Sequence, residues 1–231
     1  MSSCVRSICY SNAQFTNIFN VNLIMDSAKI IEIGVDKIKK ADPILADIIN
    51  RVGPCILLRR EQGFPSLAYS IIGQQISKSA AASIRLKFES IFSDCSINPV
   101  ELVNISDEVL RQTGLSRQKI DYLRNLAILV VSGEIDFQSF EKLTDEEIIQ
   151  LLMKIKGVGR WTAEMYLMFS MNRLDVFPVE DKAVRRAINE IYDIDKSSAN
   201  NVYVDIADRW SPYRTVGSWY LYKYIELTRT I

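Results

Sequence analysis

The chain has 231 residues, 28 of them basic, 28 acidic and none histidine, and 48% are hydrophobic. Without imidazole, Ser-His-Asp and Cys-His catalysis, HExxH zinc sites and histidine proton shuttles are excluded, so acid or base chemistry falls to Asp, Glu, Lys, Tyr or Cys. Formal neutrality excludes a whole-surface polycation but not local basic patches, and the length allows one large domain or two small lobes sharing a cleft.

Residues 1–24 carry one charge, Arg6, and their Asn and Gln residues break any apolar run. A signal peptide is therefore not expected, and no stretch approaches the ~20 apolar residues of a membrane span. The segment is expected to be a poorly ordered tail or a mis-assigned start, translation then beginning at Met25. Residues 25–231 form the domain. Cys4, Cys9, Cys55 and Cys95 are scattered without a CxxC pair, which fits neither a zinc site nor an iron–sulfur cluster and points to reduced thiols.

From Met25 on, apolar residues recur at helical spacing. Pro43 opens a helix whose stripe is Ile44, Leu45, Ile48 and Ile49. Leu67–Ile72 and Ala80–Phe92 read as two helices around a polar turn. Ser106 caps a helix that stops at Gly114, and Lys119–Val131 is again periodic. Thr144 and Glu147 form a capping box for a helix to about Ile155. Gly157-Val158-Gly159 interrupts the pattern, and a new helix starts near Trp161. Further helices are expected over Lys182–Tyr192, Ser198–Trp210 and Ser218–Thr228, with Asp175–Val179 extended at best. The fold class expected is all-α, about ten short helices with tight turns.

The chemistry lies in Leu151–Arg186. A Gly-Val-Gly turn between helices allows close backbone approach, and the helix that follows offers free amides and a positive dipole end to a phosphate. Lys154, Lys156 and Arg160 flank it. In Pro178-Val179-Glu180-Asp181-Lys182, two acids precede a helix. They read either as a complement to the helix dipole or as a carboxylate at the mouth of a cleft.

Four blocks make the arrangement resemble the helix-hairpin-helix superfamily of DNA glycosylases, specifically the compact form of the 3-methyladenine DNA glycosylase II group. They are Leu67–Ser77 with Ala80-Ala81, Gly114–Lys119, Ile155–Met165, and Trp210–Arg214 with Trp219–Tyr222. The resemblance implies two helical lobes with a DNA- and base-binding cleft between them, and roles residue by residue. Asp181 falls on the catalytic aspartate and Glu180 on a neighbouring non-catalytic acid. Trp161 and Tyr222, with Met165 beside them, line the base pocket, Tyr222 replacing a residue that is often Trp in relatives. Gln74 and Gln75 lie near the lesion and the opposite strand. Ser116 belongs to the loop that enters the minor groove, where either Arg117 or Leu115 fills the gap left by the flipped base. Gly157 and Gly159 present amides to a phosphate, with Lys154, Lys156, Arg160 and Lys182 as cations. Carbonyls of Met153, Ile155 and Val158 would hold a structural Na+ or K+.

Trp161 occupies the position where strand-cutting relatives carry a nucleophilic Lys, and no cysteine follows Cys95, so the resemblance implies a monofunctional enzyme without an iron–sulfur cluster or zinc. An alkylated purine carries positive charge and is a good leaving group; it needs chiefly a carboxylate beside the developing oxocarbenium ion. The expected partner is double-stranded DNA with a damaged base, and the expected setting is a monomer in a prokaryotic cytoplasm, on the nucleoid. The alternatives are a glycosylase for oxidised, deaminated or mismatched bases, or a non-catalytic DNA-binding module. Lys154–Arg186 holds seven cations against four acids and Arg111–Arg124 four against one, while Glu134–Glu147 holds six acids against one Lys. The first two segments are expected to face DNA and the third to face away. Trp161, Met165 and Phe169 recur at i, i+4 and i+8, so Met165 and Phe169 also read as a core stripe, and Trp210 and Trp219 as packing residues.

Overall fold

The computed structural model describes residues 17–57 and 61–229, with side chains from residue 28 onward. Among these the chain is helical throughout. The first lobe in sequence order opens with α1 (Asn17–Ala41) and α2 (Pro43–Val52). Seven helices follow: α3 (Phe64–Gly73), α4 (Lys78–Glu89), α5 (Pro99–Asn104), α6 (Asp107–Gln112), α7 (Arg117–Val131), α8 (Asp145–Leu152) and α9 (Arg160–Phe169). The chain then returns through α10 (Lys182–Tyr192), α11 (Asn200–Ala207) and α12 (Arg214–Thr228). Short 3-10 turns cover Ser139–Lys142 and Asp208–Trp210.

Local chemistry explains most starts. Asp42, Ser77, Asn98, Ser106, Ser116, Thr144 and Asp181 each cap a helix by accepting a backbone amide on the side chain, and Thr144 with Glu147 completes the reciprocal box. The hydrophobic residues form two cores, the two-lobed all-α architecture expected. One contains Phe64, Leu67, Ala68, Ile71, Ile72, Leu123, Leu126, Ile148, Leu152 and Leu167 from α3–α9. The other contains Ile38, Leu45, Ile188, Tyr203, Trp210 and Leu221 from α1, α2 and α10–α12. Phe169 and Tyr222 pack against both, which marks the seam between the lobes.

Several expectations are corrected. Residues 1–16 lie outside the described residues, but α1 begins at Asn17 and runs through Met25, so the composition shift there is not an element boundary. Ile44 is 46% exposed and leaves the α2 stripe, because Leu45, Ile48 and Ile49 already fill the buried face. Helix α5 has a start signal, Asn98 before Pro99, which a periodicity search over so short a segment misses. Helix α8 stops at Leu152 rather than Ile155, since the chain must already bend toward the glycine turn. Helix α12 starts four residues before Ser218, and the expected last turn of α11 is 3-10. Asp175–Val179 forms no strand among the described residues.

Candidate active site

Asp181 caps α10 and is 6% exposed. Its Oδ1 accepts the amides of Ala183 at 2.7 Å and Val184 at 3.0 Å. Its Oδ2 points the other way, to the seam, where it accepts the Trp161 indole N–H and, at 3.1 Å, the Tyr222 hydroxyl. Helix α10 thus fixes one oxygen while side chains from both lobes meet at the other. Tyr222 stands 3.6 Å from Met165 Sδ, and burial followed by the Asp181 charge raises its phenol above the ordinary range. Glu180, one residue earlier, is exposed and accepts from Asn200. The tertiary structure therefore separates two acids that the sequence leaves equivalent.

Trp161 is 48% exposed, while Met165 and Phe169 pack against the core as the stripe read for them predicts. Trp210 and Trp219 are buried. Two concavities, about 580 Å³ around Gln62 and Phe137 and about 480 Å³ around Asn50 and Cys55, do not include Asp181. Trp161 and Tyr222 close over its Oδ2, both donating to it.

The hairpin runs from Met153 to Gly159, between α8 and α9. Gly157 has φ +80°, and a Cβ there would overlap the Tyr122 ring. Gln74 Nε2 donates to the Gly157 carbonyl at 2.8 Å, and the Lys156 amide donates to Asn125 Oδ1 at 2.8 Å. Gly159 leads into α9 with no side-chain cap, and a Cβ on it would meet open space. The first amides of α9 thus face outward without a capping side chain. Lys154, Lys156 and Lys182 are exposed. Among the carbonyls at Met153, Ile155 and Val158, that of Ile155 accepts the Val158 amide at 3.0 Å. One of its lone pairs is left, and a turn that offers only carbonyl oxygens suits a hard monovalent ion.

Other expected contacts are corrected. Leu115 is 5% exposed and belongs to the core, so it is not available to DNA; Arg117, at the start of α7, is exposed. Ser116 caps α7, its Oγ accepting the Lys119 amide at 3.3 Å. Gln75 is exposed with φ +57°. Lys119 donates to the Ile72 and Gln74 carbonyls, and Arg124 to carbonyls of Leu102, Val103 and Ile105 and to Asp107, so both are committed to helix ends. Two acids of the segment expected to face away are paired with cations of the segment expected to face DNA: Glu146 binds Arg160 through both oxygens at 2.8 and 2.7 Å, and Asp145 lies 3.5 Å from Arg173.

One site residue was not anticipated. Glu164 is the sole charge in Trp161–Met171 and is 5% exposed. Burial above all, with Glu146, Glu180 and Asp181 adding and Arg160 opposing, pushes its carboxyl up to about 7. The usable signal was an acid in the middle of an apolar helix.

Residues 68–212 match the model of the HhH-GPD superfamily base excision DNA repair protein. A DNA-3-methyladenine glycosylase 1 of Schizosaccharomyces pombe is 32% identical over 185 residues, 79% of this chain and 81% of that one. The solved DNA-3-methyladenine glycosidase of Bacillus halodurans is 35% identical with a TM-score of 0.78, covering 85% of this chain and 91% of the other. The S. pombe 3-methyladenine DNA glycosylase in complex with abasic DNA is 30% identical with a TM-score of 0.73, covering 84% and 96%. With two helical lobes, a glycine hairpin and the buried Asp181 carboxylate at their seam, this chain belongs to the HhH-GPD superfamily of base excision DNA repair proteins.

Proposed function

We propose that the protein is a monofunctional DNA-3-methyladenine glycosylase, acting on a damaged base in duplex DNA as a monomer. The observation that carries this reading is the buried Asp181, with one oxygen fixed by α10 and the other presented to aromatic side chains at the seam. The uncapped α9 start, with Lys154, Lys156 and Lys182 around it, holds a backbone phosphate. Arg117 enters the duplex and replaces the extruded nucleotide in the stack. Extrusion costs a few kcal/mol, less at a damaged pair. The base enters as Trp161 swings off Asp181, and it stacks on Trp161 and Tyr222, where its positive charge gains roughly 0.5–2 kcal/mol of cation–π attraction. Normal bases lack that charge. As the C1′–N bond stretches, Asp181 faces the oxocarbenium ion and orients water. Trp161 offers no amine for a Schiff base, so the strand stays intact. The Met153, Ile155 and Val158 carbonyls would hold a monovalent cation that stiffens the hairpin.

The test is single-turnover release of 3-methyladenine from methylated duplex DNA. Asp181→Asn is expected to lower release by about a hundredfold or more and to keep affinity for an abasic-site duplex, with no strand cleavage in the absence of added base. Full release by Asp181→Asn would refute the reading.

A further inference from the structure

Helix α7 carries a row of side chains for which the mechanism above has no use. Gln118, Tyr122 and Asn125 stand four and three residues apart, so they share one face of the helix. The row leads to the hairpin. Asn125 Oδ1 accepts the Lys156 amide at 2.8 Å. The Tyr122 ring fills the space in front of the Gly157 α-carbon, where a Cβ would come within 2.1 Å of it. Gln118 Nε2 donates to the Tyr122 hydroxyl at 2.6 Å and holds that ring in place. Tyr122 and Asn125 are themselves half-buried.

A second tie runs through the turn after α3. Lys119 Nζ donates to the Ile72 and Gln74 carbonyls at 2.7 and 2.8 Å. Gln74 Nε2 in turn donates to the Gly157 carbonyl at 2.8 Å. The hairpin is thus held from α7 at the Lys156 amide, at the Gly157 α-carbon and, through Gln74, at the Gly157 carbonyl. The same helix begins with the exposed Arg117. Asn125 follows Arg117 by eight positions, which is about 12 Å of helix at about 1.5 Å per residue. Backbone hydrogen bonds fix that distance, whereas two loops without such a spacer would move independently.

Resting on the glycosylase reading, we propose that Tyr122 and Asn125 are positioning residues that hold the phosphate-gripping hairpin at a fixed offset from Arg117. Gripping the backbone needs only the α9 amides and the cations around them. Filling the gap needs only Arg117. Doing both at the same nucleotide needs the spacing between them. An error of about 1 Å in placing a reacting group can cost about a hundredfold in rate. Without the ties, DNA would still bind, but Arg117 would enter out of step with the nucleotide being held. Tyr122 and Asn125 act through the hairpin and not on the base.

A double-mutant cycle on the intact protein tests the coupling. Its members are Asn125→Ala, which removes the acceptor of the Lys156 amide, Arg117→Ala, and the two together. Single-turnover release of 3-methyladenine from methylated duplex is measured at saturating enzyme, and affinity for undamaged duplex by anisotropy. Asn125→Ala is expected to lower the saturated rate by about tenfold. Affinity is expected to change by less than about twofold, because the phosphate contacts that supply non-specific binding remain. The double variant is expected to stay within about twofold of Arg117→Ala alone, as two residues acting on one step require. Multiplicative losses, a loss confined to affinity, or an undiminished rate in Asn125→Ala would each overturn the proposal. Tyr122→Leu, which takes the ring away from Gly157, repeats the cycle if Asn125→Ala does not fold. Fluorescence of 2-aminopurine beside an abasic site reads Arg117 insertion without any excision. There Asn125→Ala is expected to reduce the change on binding as far as Arg117→Ala does, and a full wild-type change would overturn the coupling. A wild-type protein that gives this signal but releases no base would refute the glycosylase reading alone.

Discussion

At the residue scale, the chain contains its own control for Asp181. Asp42 caps α2, its Oδ1 accepting the Leu45 amide at 3.0 Å, while its Oδ2 accepts the Tyr192 hydroxyl at 2.7 Å and the Trp210 indole at 2.8 Å. The donor set resembles that at Asp181: one helix amide here, two there, on Oδ1, and a tyrosine and a tryptophan on Oδ2. The difference is access. Asp42 is fully buried and Trp210 is 1% exposed, whereas Trp161 is half-exposed. Trp210 cannot leave without opening the core; Trp161 can swing into solvent and admit a ligand. Asp42→Asn is therefore expected to cost about 3 kcal/mol through lost charge-assisted bonds, roughly 6–12 °C in Tm for a chain of this size. Asp181→Asn should lose less than half as much in Tm and nearly all activity. Thermal melts of both variants beside the release assay check the contrast. No local signal in the sequence distinguishes these aspartates, because both are acids before a helix.

At the element scale, the α8–turn–α9 hairpin was legible because its parts are local: a capping box, two glycines and a helix restart within the span Thr144–Phe169. The two glycines nevertheless serve different ends. Gly157 combines a positive φ with the Tyr122 ring against its α-carbon, whereas Gly159 has φ −95° and free space before it. Gly157→Ala is expected to destabilise the fold by about 2 kcal/mol or more. Gly159→Ala should leave Tm within a degree or two while weakening DNA binding, since its methyl stands where the phosphate backbone approaches. Melting curves and anisotropy titrations with duplex DNA distinguish the two; a large Tm loss in Gly159→Ala would contradict the assignment. Helix α5 and the early start of α12 were not legible. Six residues are too few for a periodicity signal, and Arg214 joins α12 because its guanidinium and amide are held by Asp175, thirty-nine positions away.

At the scale of the whole molecule, charge counted along the sequence differs from charge free at the surface. Cations that sum to a basic segment are partly spent inside the fold: Lys119 and Arg124 on helix carbonyls, Arg160 on Glu146, Arg173 near Asp145. The acidic segment supplies two of these partners, Glu146 and Asp145. Under the proposed function Glu146 would compete with a DNA phosphate for Arg160, at the first turn of α9. Glu146→Gln is expected to tighten binding to undamaged duplex several-fold at low salt and to steepen the log–log salt slope by about 0.9, one phosphate contact. Titrations from 50 to 200 mM salt measure it, and an unchanged slope would show that Arg160 takes no phosphate.

The sequence by itself determined the helical class, most of the helices and the glycine hairpin, because each depends on caps, turn residues and periodicity within a few positions. Only the tertiary structure decided which of two adjacent acids is buried, which aromatics reach it, that Leu115 is core, and that Glu164 is buried against Arg160. Burial and the distance between charges arise from packing elements far apart in the chain, and these quantities, rather than residue type, set what a carboxyl can do.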